Sequence, residues 1–167
     1  VLNNLITNGD FSDGTTGWDT TAYTINDYSV VSNQYVATGN TTLTASGMGL
    51  YIKPDTSNFV HVISGNSYIF KFKAKVSNLT GGAYLRIYSK DNGAFIENVL
   101  LTSSFPTTDT DFHDYSLIYK PTSDYSELNF VTTFVYASGT DITGYTLTVD
   151  DYDIIDVTDF VNAGMSK

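Results

Sequence analysis

The chain contains no cysteine, which excludes disulfide bonds and thiolate-bound zinc while leaving its redox compartment open. Cationic side chains are also scarce. Eight lysines and arginines face 18 aspartates and glutamates, the formal net charge is -10, and Arg86 is the sole arginine. A polyanion meets repulsion over most of such a surface, so nucleic acid and anionic membranes are poor partners, whereas a cation is attracted wherever aspartates converge. No stretch approaches 18 consecutive apolar residues and no basic-then-apolar leader opens the chain. It reads as a soluble protein, extracellular or secreted, on a cell surface or on a virion, a reading compatible with prior removal of a signal peptide.

Groups for catalysis are few. There are two histidines, His61 and His113, each in a strand pattern, and two glutamates, Glu97 and Glu127, neither with an identifiable partner. No serine sits in a nucleophile turn, no glycine-rich phosphate loop occurs, and no carboxylate pair is marked as spanning a cleft at the ~5–9 Å that glycosidic acid–base work needs. The chain is therefore read as a non-enzyme.

What is abundant is strand. A length of 167 residues supports one core, with a single domain over 1–159 and residues 160–167 as a C-terminal tail or linker. Thirteen tyrosines, with many threonines and asparagines, fit sheets whose outer faces meet water. That surface suits sugars, and ordinary extracellular β domains share it. Tyr68–Val76 alternates with period two, placing Tyr68, Phe70, Phe72, Ala74 and Val76 on one face and Lys71, Lys73 and Lys75 on the other. Ser64-Gly65-Asn66 turns the chain before it and Thr80-Gly81-Gly82 after it. Ala83–Lys90, Ala94–Leu101, Phe112–Lys120 and Leu128–Tyr136 follow as strands. Ala22–Asn26, Ser29–Ala37, Thr42–Ile52 and Asn58–Ile63 are earlier candidates, and no amphipathic helix of useful length is read.

About ten short strands predict an all-β fold, an antiparallel two-sheet β-sandwich of jelly-roll topology. Asn4–Trp18 and Tyr145–Val157 are expected to be its closing strands, with Phe70, Phe72, Leu85, Ile87, Phe130, Phe134 and Leu147 in the core.

Three groups of residues carry possible chemistry. Tyr84, Arg86 and Tyr88 share the face opposite Leu85 and Ile87. Aromatic rings there stack on sugars and the guanidinium forks to hydroxyls or a carboxylate, unless the tyrosines merely pair across strands. Tyr115 and Tyr119, with His113, form a second stripe, in which Leu117 points to partial burial. Asp10, Asp13, Asp150, Asp151 and Asp153 converge if the chain ends pair, and calcium is the natural occupant, with solvated turn aspartates as the alternative. Asp150 is the best single ligand because it continues the outward parity of Thr146 and Thr148 at an expected bulge. Trp18, the sole tryptophan, reads as a plug at the core edge or as a sugar contact.

Four segments in order, NLITNGDFSDGTTGW (Asn4–Trp18), GNSYIFKFKAKV (Gly65–Val76), FHDYSLIYKP (Phe112–Pro121) and LTVDDYDIID (Leu147–Asp156), resemble the four/nine and twenty-two type carbohydrate-binding modules found beside xylanases and glucanases. Related domains of this galactose-binding-like scaffold occur in phage tail and surface proteins. The resemblance implies a concave sheet holding an extended polysaccharide such as a β-glucan or xylan, without catalysis, in a targeting or adhesion module with neighbouring domains of the same polypeptide. It also implies a structural calcium, with Asp150 at the family's C-terminal ligand position. Ser12 stands where the N-terminal acidic ligand usually is, and Asp10 takes its place from the other side of Phe11. The alternative is a structural or protein-interaction jelly roll of a phage tail, fibre or cell-surface assembly.

Overall fold

The computed structural model describes residues 2–79, 83–102 and 111–165, so the expected turn at Thr80-Gly81-Gly82 lies outside the described residues. Ten strands run in the order β1 (Asn26–Val31), β2 (Gln34–Gly39), β3 (Gly49–Ile52), β4 (Val60–Val62), β5 (Tyr68–Val76), β6 (Tyr84–Asp91), β7 (Ala94–Thr102), β8 (His113–Tyr119), β9 (Tyr125–Val135) and β10 (Thr146–Asp156), followed by helix α1 (Thr158–Met165). About 51% of the chain is strand and 7% helix, as the jelly-roll reading requires.

Alternation decides the layers. One sheet has the order β1-β2-β10-β5-β8 and the other β3-β9-β6-β7, with β4 continuing the β3 edge along β9. All pairings are antiparallel. In β5 the apolar parity is buried, from Tyr68 to Val76, while the lysines turn outward. Lys71 and Lys73 there meet Asp153 and Asp151 at 3.3 and 2.6 Å. The seven expected core residues are all buried. Across the sandwich Phe70 and Phe130 meet edge to face at 5.0 Å, and the hydroxyls of Thr132 on β9 and Tyr152 on β10 lie 3.0 Å apart inside the core. A buried hydroxyl without a partner is costly, so this pair holds the two sheets in one relative position.

Three expectations at the chain ends and in the early strands need correction. Asn4–Trp18 is not a strand: it makes one bridge to β10, Asn4 to Ile155, and then winds through turns. Asn8, Phe11, Gly14 and Gly17 all take positive φ, which no strand accommodates. The aromatic contacts still anchor it: Trp18 is buried, 5.0 Å from both Phe11 and Tyr152, with its indole N–H on the Asn8 carbonyl at 3.1 Å, so it is the core plug. Ser29–Ala37 is a hairpin rather than one strand, because Ser32 and Asn33 adopt φ of 51° and 58°, the left-handed pair a two-residue turn requires. Helix α1 begins at Thr158, two residues before the segment 160–167 read as a tail, and continues into it.

Candidate binding face

Leu85, Ile87 and Ser89 of β6 are buried in the interior, and this fixes the other parity, Tyr84, Arg86, Tyr88 and Lys90, on the outward face of the second sheet. Register then assembles the surroundings. Across β9, Tyr84 pairs with Val135, Arg86 with Thr133, Tyr88 with Val131 and Lys90 with Asn129; across β3, Tyr51 pairs with Thr133. On the other side Tyr88 pairs with Asn98 and Lys90 with Phe95 of β7.

Four residues of β9 form a floor, flanked by longer side chains. Asn129, Val131, Thr133 and Val135 are buried, yet Val131 and Val135 stand outside the core cluster because they face out. The Oδ1 of Asn129 and the Oγ1 of Thr133 are buried without a hydrogen-bond partner among the described residues. Unsatisfied buried polar atoms are unusual in a folded protein, and these two lie beneath the outward face of the sheet.

The rims are aromatic. Tyr23, from the loop before β1, stacks on Tyr51 at 3.9 Å with the planes within 9°. Asn26 holds that loop to the edge of β3 by accepting from the Tyr51 backbone N–H at 2.9 Å and donating to the Gly49 carbonyl at 3.4 Å. Burial pushes the Tyr51 phenol up to about 12 and raises that of Tyr23 further, with the Tyr88 hydroxyl contributing next, so both stay neutral at physiological pH. On the opposite rim the Arg86 Nε donates to Asn98 Oδ1 at 2.8 Å. The guanidinium then lies 4.5 Å from the Tyr88 ring centroid and 5.9 Å from that of the exposed Phe95.

The second stripe is elsewhere. Tyr115, Leu117 and Tyr119 of β8 share the inner face of the first sheet: Tyr115 stacks on Phe72 at 5.1 Å, and the buried Tyr119 meets Phe130 edge to face at 5.3 Å. They pack the core and are not brought to the face bearing Tyr84, Arg86 and Tyr88. Leu117, on their side of the strand, sets this parity.

Near the chain ends, β10 bulges after Asp150, and Asp151 takes a φ of 49°. The Asp150 carboxyl is raised, by partial burial first and then by the charges of Asp151 and Asp10. That is the situation a hard oxygen-seeking cation relieves. Asp10 accepts from the Ser12 N–H and hydroxyl at 3.2 and 2.9 Å, which lowers its pKa. Lys73 already answers part of the negative charge through Asp151. Among the described residues no three His, Asp or Glu side chains converge as a metal shell. Of the expected calcium ligands, Asp10 lies near enough to Asp150 for its charge to be felt there.

The sequence matches the model of the carbohydrate binding domain family, of the four/nine type, over residues 3–137. The chain belongs to that family. The fold of this carbohydrate binding domain is similar to that of a family-4 carbohydrate-binding module, with TM-score 0.61 at 18% identity over 90% of this chain and 99% of the other. It is also similar to the N-terminal cellulose-binding domain of a Cellulomonas fimi β-1,4-glucanase, with TM-score 0.58 at 18% identity over 86% and 91% of the two chains. A third likeness is to a xylan-binding domain from Paenibacillus barcinonensis, with TM-score 0.51 at 16% identity over 95% and 94%. No curated protein matches the sequence.

Tyr23, Tyr51, Phe95, Asn129 and Thr133 were not among the residues singled out from sequence. Tyr51 had a local signal, since it lies between the inward Leu50 and Ile52. Thr133 had none, because the second half of β9 is buried on both faces and shows no alternation.

Proposed function

We propose that this carbohydrate binding domain binds a polysaccharide, without catalysis, across the outward face of the β3-β9-β6-β7 sheet, as a targeting or adhesion module of a larger extracellular protein. The observation that carries this reading is the joint placement of the Tyr23, Tyr51 and Tyr88 rings and the Arg86 guanidinium at this face. Rings stack on the C–H faces of pyranoses, while Arg86 supplies directional hydrogen bonds to hydroxyls. Stacking contributes about 1 kcal/mol per ring, and each neutral hydrogen bond exchanged with water gains about 1 kcal/mol or less, so binding is weak to moderate and depends on several contacts.

A β-1,4-linked glucan or xylan is the ligand class favoured, because the structural relatives include a cellulose-binding and a xylan-binding domain. Affinity electrophoresis of the protein through gels containing soluble xylan, mixed-linkage β-glucan or hydroxyethylcellulose tests this directly. Retardation by at least one polymer, lost in Tyr88→Ala, is the expected result. Unretarded migration through all of them, in folded protein, overturns it.

A further inference from the structure

Arg86 is a cation held in a fixed plane, and among the described residues no carboxylate is paired with it. Each ion pair among the described residues uses a lysine: Lys53 with Asp19, Lys71 with Asp153 and Lys73 with Asp151. Arg86, the single guanidinium of a chain carrying net charge -10, is in no ion pair among the described residues. Its Nε is bound to the neutral Asn98 and its plane is set against Tyr88 and Phe95. That contact leaves the two Nη groups as a preset fork, the geometry that matches a carboxylate in a two-point contact.

Charge is distributed to match. The carboxylates Asp114, Asp150, Asp151, Asp153 and Asp156 lie on strands of the opposite sheet. On the face itself Lys90 shares the Arg86 parity. The acidic side chains Asp91 and Glu127 lie together at the far end, where the Glu127 N–H binds Asp91 Oδ1 at 3.1 Å. Thr133, the register partner of Arg86, is six residues from Glu127, about 20 Å along an extended strand. A ligand of neutral sugars needs donors and acceptors but no fixed charge. A guanidinium kept partly from water without a counter-ion is a cost that a neutral ligand does not relieve.

We infer that Arg86 reads a carboxylate on the glycan, so that the ligand is a polysaccharide bearing isolated uronic acid residues. The inference rests on the glycan-binding reading of this face. Isolated carboxylates fit better than a dense polyanion, because the rest of the surface repels negative charge.

The test compares one polymer with and without its charge. Binding of soluble glucuronoxylan is measured by calorimetry beside the same xylan after reduction of its carboxyls to alcohols, for the wild type, Arg86→Gln and Arg86→Lys. The wild type is expected to prefer the acidic polymer by roughly tenfold, the scale of one charge-assisted contact. The ratio falls to about one in Arg86→Gln, whatever the change in absolute affinity, and takes an intermediate value in Arg86→Lys, which keeps the charge but loses the fork. Equal binding of the two polymers by the wild type, or a preference that survives Arg86→Gln, overturns the carboxylate reading alone. No binding of either polymer or of the neutral glucans overturns it together with the proposed function.

Discussion

The hydroxyl of Tyr23, in the loop ahead of β1, lies 3.1 Å from that of Tyr88 on β6, 65 positions further along the chain. With its ring flat on Tyr51, Tyr23 ties the loop from one sheet onto the binding face of the other. Removing the hydroxyl in Tyr23→Phe is expected to cost about 1 kcal/mol in urea unfolding, and Tyr23→Ala, which also removes the stack, about 2 kcal/mol. Both changes should weaken glycan retardation, Tyr23→Ala the more, because Tyr88 loses the contact that orients it.

The two tyrosine stripes should separate cleanly by assay. Tyr84→Ala and Tyr88→Ala are expected to lower glycan affinity about fivefold each, Tyr84→Ala with the melting midpoint nearly unchanged and Tyr88→Ala with the loss of about 1 kcal/mol that goes with its Tyr23 contact. Tyr119→Ala is expected to do the reverse, destabilising by about 3 kcal/mol through the space left beside Phe130. Loss of glycan binding in a well-folded Tyr119→Ala protein would contradict this assignment.

Calcium is expected to stabilise the domain through Asp150 and Asp10. At a hundred times its dissociation constant the gain is about 2.7 kcal/mol, visible as a higher melting midpoint in millimolar calcium than in chelator and absent in Asp150→Asn. The pH dependence has a definite sign. The folded Asp150 carboxyl is raised, so without metal its ionisation destabilises the fold as pH rises through the carboxylate range. Protons therefore compete with calcium from a higher pH than at an ordinary aspartate, and the calcium-dependent gain shrinks on acidification. An identical midpoint in calcium and chelator at neutral pH would count against the site.

High pH should unfold the domain steeply. Burial raises Tyr28, Tyr35, Tyr136 and Tyr152, and pushes Tyr51 and Tyr115 up to about 12. Such a group stays protonated in the folded state while the unfolded chain ionises near pH 10. Each therefore contributes stability that is full below pH 10 and falls by about 1.4 kcal/mol per pH unit above it, until the folded pKa is reached. Tyrosinate absorbance should rise in two stages, the second coinciding with loss of the folded circular dichroism signal.

The Thr132–Tyr152 contact invites a double-mutant cycle. Tyr152→Phe leaves a buried threonine hydroxyl without a partner and is expected to cost about 1–3 kcal/mol, while adding Thr132→Val should restore part of that loss. Additive losses in urea unfolding would show the pair to be uncoupled.

The core was legible because β5 and β6 alternate strictly, and the same parity placed Tyr84, Arg86 and Tyr88 outward. Tyr115 and Tyr119 were misplaced as ligand candidates because their aromatic character was weighed above Leu117, which shares their face. The rest of the site depends on register between distant strands. Nothing local to Thr133 says that Arg86 and Tyr51 flank it. The N-terminal segment was read as a strand because its apolar residues fit one, whereas the positive φ of Phe11, a residue seldom found there, is imposed by packing against Trp18 and Tyr35.

The bulge in β10 gives that strand one residue more than its ladder with β5 requires. Asp150 pairs with Lys73 and Asp153 with Lys71, so three steps on β10 answer two on β5. The extra residue lets Val149 and Tyr152 both point inward on either side of two aspartates. Deleting Asp151 would leave Asp150 opposite Lys73 and Asp153 opposite Lys71 with only Tyr152 between them, a regular ladder in which Tyr152 and Ile154 still face inward. A single-codon deletion at 151 is thus expected to spare the core and to remove the Lys73–Asp151 ion pair together with the left-handed backbone step that sets the Asp150 carboxylate.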